Sequence, residues 1–146
     1  MTGRRWLIIG GWLSVGAALL HLGCIAGGAD WYRFFGAGEG MARMAARGYW
    51  YPAILTTGIA TVLGIWAAYA FAGAGVIRRL PLLRTALIVI SAIYLLRGLL
   101  IIPILIEPAM RSAFNIWSSL IVLGYGLVYA AGTRAAWPNL STKEPL

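Results

Sequence analysis

The stretch from Leu82 to Ile106, LLRTALIVISAIYLLRGLLIIPILI, decides the fold class of this chain. Its only charged residues are Arg84, near the start, and Arg97, and the rest is dominated by leucine and isoleucine. An α-helix rises about 1.5 Å per residue, so a helix of this length spans the roughly 30 Å hydrocarbon core of a bilayer. The stretch therefore predicts a transmembrane helix.

Three more apolar stretches have the same character, and together they indicate an all-α, polytopic bundle of four transmembrane helices. The composition agrees, because 61% of the 146 residues are hydrophobic and only 11% are charged, whereas soluble domains are about 25% charged. We predict a single membrane domain over residues 1–146. Its spans cover about 6–27, 49–75, 82–106 and 113–132, with an outer loop at 28–48 and a cytoplasmic tail at 133–146.

The net charge of +8 does not indicate nucleic-acid binding, because the basic residues lie between the apolar stretches and form no single basic surface. They set orientation instead, since cytoplasmic loops of membrane proteins are rich in lysine and arginine. We therefore expect both termini to be cytoplasmic and the protein to lie in a bacterial inner membrane. Seven basic residues fall on the predicted cytoplasmic side and four on the other: Arg4, Arg5, Arg78, Arg79, Arg84, Arg134 and Lys143, against Arg33, Arg43, Arg47 and Arg111.

The outer loop carries aromatic and apolar residues near helical spacing. Its pattern predicts one or two short amphipathic helices on the outer face, broken around Gly36–Gly38, with Asp30 as an N-cap. Such a segment is either an interfacial anchor or a lid over a site.

Two ionisable residues within the predicted spans, His21 and Arg97, suggest a functional site. Each lies fifteen residues after the cytoplasmic start of its span, at Trp6 and Leu82, which places both about 22 Å into the membrane. Ionisable groups in transmembrane helices tend to face a bundle interior or a cavity. We expect a polar pocket centred on this pair and open toward the outside.

Other polar residues fall in the same outer half of the spans. We expect Glu107 and Asn115 at the mouth of the pocket, with the remaining lining supplied by Thr57, Tyr94 and Ser118. Each residue also has a structural interpretation. Arginine can extend to the head groups, histidine can make one interhelical hydrogen bond, and hydroxyl side chains often bond their own backbone.

No cofactor, metal or catalytic residue is predicted. Cys24 is the only cysteine, and a lone histidine cannot supply two axial ligands to haem. His21 with Cys24, and Met41 with Met44, offer pairs of soft donors suited to Cu(I), but each pair alone is a weak signal.

We expect a small binding, transport-related or accessory protein whose pocket receives a lipid or a hydrophobic or anionic small molecule. One alternative is a membrane enzyme that acts on a lipid-like substrate with His21 as acid and base. Another is a structural subunit that packs against a membrane-protein partner or a second copy. Membrane lipids are expected partners in every case.

Overall fold

The computed structural model describes residues 2–141, and all regular structure among them is helical. Four helical segments are long and apolar enough to cross a membrane, which confirms the all-α prediction and the number of candidate spans. They are α1, α3, α4 taken together with α5, and α6. The elements in chain order are α1 (Gly3–Phe34), α2 (Glu39–Ala46), α3 (Tyr51–Gly73), α4 (Leu83–Leu99), α5 (Ile101–Ile106), a 3-10 turn (Pro108–Met110) and α6 (Ala113–Ala136).

The bundle has two distinguishable ends. At one end, called the terminal end, α1 begins against the close of α6, and a Cβ atom on Gly3 would lie 2.4 Å from the backbone nitrogen of Ala136. At the other, called the loop end, the rings of Phe35 and Phe114 lie 6.4 Å apart between centroids. Both described chain ends therefore lie at the terminal end, and α2 and the 3-10 turn lie at the loop end.

Glycines bring α4 and α6 into close packing. A Cβ on Gly98 would lie 2.5 Å from the Cα of Leu123, and one on Gly126 would lie 2.8 Å from the backbone nitrogen of Leu95. Such distances are possible only because glycine has no side chain. Small residues at such positions let two helix backbones approach closely, as is common where transmembrane helices pack together.

The first helix is longer than the predicted span 6–27, since α1 continues to Phe34 through a break at Gly28. The backbone of Gly28 has φ 65° and ψ −148°, a conformation that is essentially restricted to glycine. The prediction that Asp30 is an N-cap is wrong. Its carboxylate instead accepts a hydrogen bond of 3.0 Å from Arg33.

The third predicted span is interrupted at Leu100, where α4 gives way to α5. Pro103 explains the interruption, because proline lacks an N–H group and its ring crowds the carbonyl four residues earlier, that of Leu99. Helix α6 continues to Ala136, beyond the predicted end of the fourth span at 132. Thr133 is buried within α6, Leu140 is buried after it, and the remainder of the tail from 142 lies outside the described residues.

The predicted amphipathic segment on the loop side is helix α2. Ala42 is fully buried against Cys24 and Tyr32 of α1, while Glu39 and Arg43 are exposed. The predicted break before it coincides with two glycines of positive φ, Gly36 at 71° and Gly38 at 91°. The helix thus packs with its small apolar face on the bundle.

Candidate functional site

A buried cluster of hydroxyl groups lies where the four long segments meet. Ser14 of α1 is fully buried, and its Oγ lies 2.8 Å from the Oη of Tyr94 and 2.7 Å from the Oη of Tyr129. Tyr129 donates in turn to the carbonyl of Trp66 on α3 at 3.3 Å. The cluster therefore links α1, α3, α4 and α6 through side chains.

Counting hydrogens assigns a direction to this chain of bonds. Each hydroxyl has one hydrogen to donate, and that of Tyr129 is directed to Trp66. Ser14 must therefore donate to Tyr129, and Tyr94 must donate to Ser14. Every hydrogen in the cluster is used, and aromatic rings surround it, with Trp66 and Tyr94 at 4.9 Å between centroids. Tyr94, which the sequence predicts to line a pocket, is buried here and links α4 to α1 through its hydrogen bond to Ser14.

His21 lies elsewhere, on the side of the bundle formed by α1, α2 and α3. It is half-buried, and its Nδ1 lies 2.7 Å from the carbonyl oxygen of Ala17, one turn earlier on α1. A carbonyl only accepts, so Nδ1 carries the hydrogen. In the neutral imidazole Nε2 then has a free lone pair and is the acceptor.

A cavity of about 300 Å³ adjoins this histidine. We call it the α1–α2–α3 cavity, since its lining comes from α1, from α3 and from the segment that contains α2. The hydroxyls of Tyr32 and Thr56 lie 3.0 Å apart and bond each other, whereas the Nε2 lone pair of His21 is an acceptor that no described side chain uses. The lining residues are His21, Cys24, Tyr32, Phe35, Ala37, Met41, Leu55, Thr56 and Ile59.

Arg97 does not share this cavity. It is exposed on α4, and its Nη1 donates a hydrogen bond of 3.2 Å to the Oγ of Ser119 on α6. Ser119 itself is fully buried. The structure thus places His21 and Arg97 against different helices, and the pocket expected between them is replaced by a cavity beside His21 alone.

The other predicted lining residues occupy separate positions. Thr57 is exposed, and its carbonyl accepts a hydrogen bond from Thr61. Glu107 is exposed and accepts a hydrogen bond from the amide of Ala109 in the 3-10 turn. Asn115 and Ser118 bond local backbone carbonyls near the start of α6, at Met110 and at Asn115 respectively. Whether any of them contacts a ligand stays a prediction.

An exposed ion-pair network holds α2 to the end of α1. Arg33 contacts Glu39 at 2.9 Å and Asp30 at 3.0 Å, and Arg43 contacts Glu39 at 3.2 Å. Hydrogen bonds from Arg33, and then from Arg43, hold the pKa of Glu39 below its ordinary value of 4.5. Each of these exposed pairs contributes little to stability. Together they connect the end of α1 to α2, the helix in which Met41 lines the cavity.

The chemistry available in the cavity is limited. No carboxylate lies among its lining residues, so His21 has no acidic partner to orient it for proton transfer. Within residues 2–141 no group of three or more histidine, cysteine or acidic side chains is placed to hold a metal. His21, Cys24 and Met41 nevertheless line one cavity, which brings together three soft donors from two elements.

Sequence reasoning missed Tyr32, Thr56 and Tyr129, although each has a partial signal. Tyr32 lies in the outer segment that the sequence predicts to be amphipathic, and after the break at Gly28 its hydroxyl bonds that of Thr56. Tyr129 resembles a tyrosine near a helix end, which is ordinarily an interfacial residue. Only the packing of α6 against α1 shows that it is fully buried.

Comparison of the chain with protein-family models, with curated proteins and with solved structures finds no match.

Proposed function

We propose that this chain is a multi-pass membrane protein that binds a small, neutral, largely apolar molecule in the α1–α2–α3 cavity. The four apolar helices support membrane insertion. The described arginines other than Arg97, which lies inside α4, support an orientation with both termini in the cytoplasm, because six lie at the terminal end and four at the loop end. In a bacterial inner membrane the cavity then opens toward the periplasmic side.

The observation that carries the binding proposal is that His21, whose Nδ1 is bonded to Ala17, lines a cavity whose other walls are mostly apolar. Ligand sites are mostly hydrophobic, with a small number of placed polar groups that fix orientation. The lining includes no arginine or lysine, so a neutral guest fits better than an anionic one. A hydroxyl on the guest would donate to His21 Nε2, and its apolar body would contact Leu55 and Ile59.

Helix α2 acts as the cover of this cavity. Met41 and Ala37 line the cavity from the segment that contains α2, and the glycines on either side of Ala37 supply turns of positive φ. Opening the cover requires breaking exposed ion pairs and the packing of α2 on α1 and α3, in which Ala42 is the buried residue. The covering segment is therefore less strongly held than the four long helices.

The test is native mass spectrometry of protein purified from its membrane in mild detergent, with organic extraction of any bound molecule. Wild type is compared with His21→Phe, which keeps a ring of similar size, and with Arg97→Ala. We expect a small molecule that is retained in Arg97→Ala and lost in His21→Phe. Retention in His21→Phe with loss in Arg97→Ala would move the site to Arg97 and Ser119 and refute the proposal.

A second ligand class, Cu(I), is favoured by the imidazole, thiol and thioether that line the same cavity. Soft sulfur ligands select Cu(I), and a metal-binding histidine ordinarily donates its other N–H to an oxygen, as His21 does to Ala17. Anaerobic titration with Cu(I) against a chromogenic chelator tests this. Binding of one ion, abolished in Cys24→Ser and weakened in Met41→Leu but unchanged in Met110→Leu, would support it.

A further inference from the structure

A second concave surface lies between α4 and α6, and we call it the α4–α6 groove. Its volume is about 480 Å³. Small residues line it, namely Ser91 and Ala92 on α4 and Ala130 on α6, while Leu95 and Trp137 add bulk nearer its two ends. Along α4 it extends from Ile88 to Leu95, a length of about 10 Å. The groove is open and almost entirely apolar.

One polar side chain in the groove has no partner. Thr133 is only 6% exposed, lines the groove, and its Oγ1 makes no hydrogen bond. A threonine on a transmembrane helix ordinarily bonds the carbonyl of the preceding turn, and a buried hydroxyl without a partner is unfavourable. The hydroxyl therefore has an unused hydrogen and belongs to a residue that lines the groove.

Trp137 lines the groove at the terminal end, and Arg84 packs against Trp137. The guanidinium of Arg84 lies 4.3 Å from the centre of the Trp137 ring, and its Nη2 donates 3.1 Å to the Trp137 carbonyl. Its Nε is buried and has no partner. Arg134 also lines the groove. Two cations therefore lie at the terminal end of the groove, and one of them has an unused N–H donor.

The charges of the bundle are segregated along its axis. Within residues 2–141 the acidic residues Asp30, Glu39 and Glu107 all lie at the loop end, whereas Arg84 and Arg134 lie at the terminal end. Anionic lipid head groups are the counter-charge that a membrane provides at a basic surface, and basic pockets between transmembrane helices bind them. The arginines at the terminal end are Arg4, Arg5, Arg78, Arg79, Arg84 and Arg134.

We propose that the α4–α6 groove binds one anionic phospholipid. Its phosphate accepts hydrogen bonds from Arg134, from the hydroxyl of Thr133 and from Nε of Arg84. The first part of one acyl chain lies over Ala92 and Ala130 and reaches Leu95. This site is separate from the α1–α2–α3 cavity, since the two share no lining residue, and it does not depend on the function proposed above.

The experiment adds dioleoylphosphatidylglycerol, or dioleoylphosphatidylcholine with identical chains, to delipidated full-length protein and counts retained lipids by native mass spectrometry. We expect one phosphatidylglycerol to be retained about five-fold more than phosphatidylcholine, since a single basic residue at the surface already gives that preference. Arg134→Gln should remove the preference. Arg5→Gln, with the same charge change outside the groove, should keep it.

Two uncharged variants separate a built site from a diffuse electric field. Thr133→Val keeps the side-chain shape and removes the hydroxyl, whereas Ala130→Leu fills the groove. Both variants should retain less phosphatidylglycerol than wild type. Thermal unfolding measured in parallel confirms that each variant folds. Equal retention of the two lipids by wild type overturns the proposal. So does an equal loss in Arg134→Gln and Arg5→Gln, or full retention in folded Thr133→Val and Ala130→Leu.

Discussion

Replacing Ser14 with alanine tests whether the hydroxyl cluster stabilises the bundle. The change removes two hydrogen bonds, those of 2.8 Å and 2.7 Å to Tyr94 and Tyr129. Interhelical hydrogen bonds in membrane proteins contribute about 0.6 kcal/mol each on average. Tyr129 keeps its bond to Trp66, but the buried hydroxyl of Tyr94 loses the acceptor assigned to it, and an unsatisfied buried group costs about 1–3 kcal/mol. We therefore expect Ser14→Ala to lower the free energy of unfolding by about 1–3 kcal/mol.

Ser91 provides a matched control on α4. It is also a buried serine, but its hydroxyl bonds the carbonyl of Leu87 on its own helix, so its removal leaves no other side chain without a partner. We expect Ser91→Ala to change the free energy of unfolding by less than about 0.5 kcal/mol.

The assay is reversible unfolding of purified protein in mixed micelles, followed by far-ultraviolet circular dichroism. A double-mutant cycle of Ser14→Ala with Tyr94→Phe isolates the pair, because the second change removes the hydroxyl that the first leaves without a partner. The double variant should be more stable than Ser14→Ala alone, because it leaves no buried hydroxyl of this pair without a partner. If Ser14→Ala costs no more than Ser91→Ala, the cluster makes no net contribution and the reasoning from its geometry fails.

Three further predictions concern packing, backbone conformation and charge. Gly98→Ala should destabilise the protein by about 1–3 kcal/mol, because its Cβ would meet the backbone of α6, whereas Gly124→Ala, which faces open space, should be neutral or stabilising in the same unfolding assay. Gly28→Ala should cost about 1–3 kcal/mol because alanine is strained at this φ and ψ; a loss no larger than that of helical Gly58→Ala would contradict a strained break. The pKa of Glu39 is lowered in the folded protein. The ion pairs of Glu39 should therefore stabilise the packing of α2 on α1 fully above pH 4.5, and this stabilisation should be lost as the pH falls through the lowered pKa. Amide hydrogen exchange of α2, corrected for the intrinsic effect of pH, should therefore speed up on acidification in wild type, and an identical pH response in Glu39→Gln would exclude this cause.

Some features of the candidate site were predictable from single residues, and others depended on which helices pack together. His21 was identified because an ionisable side chain in an apolar stretch is rare and costly, and it does adjoin a cavity. Its expected partner, Arg97, was chosen by matched depth. Depth along a helix says nothing about which neighbour a side chain faces, and Arg97 lies against Ser119 of α6.

The local sequence does not show where α1 changes direction. A glycine such as Gly28 permits many backbone conformations, so its presence did not show that α1 would break there and turn Tyr32 toward Thr56. The break after Leu99, by contrast, follows from Pro103 itself, since its missing N–H and its ring act on the preceding turn in any surroundings.

The sequence by itself determined the class of this protein, the number of candidate spans and the segregation of charge, because apolar length and the placement of arginines are properties of the chain alone. Only the tertiary structure decided that Ser14, Tyr94 and Tyr129 share hydrogen bonds, and that His21 and Met41 line one cavity. In lipid almost every face of such a helix is apolar, so its hydrophobic pattern does not select a partner. Which helices pack together is decided instead by close backbone approach at glycines and by hydrogen bonds between a few buried hydroxyls. These interactions form only when the helices are packed against each other.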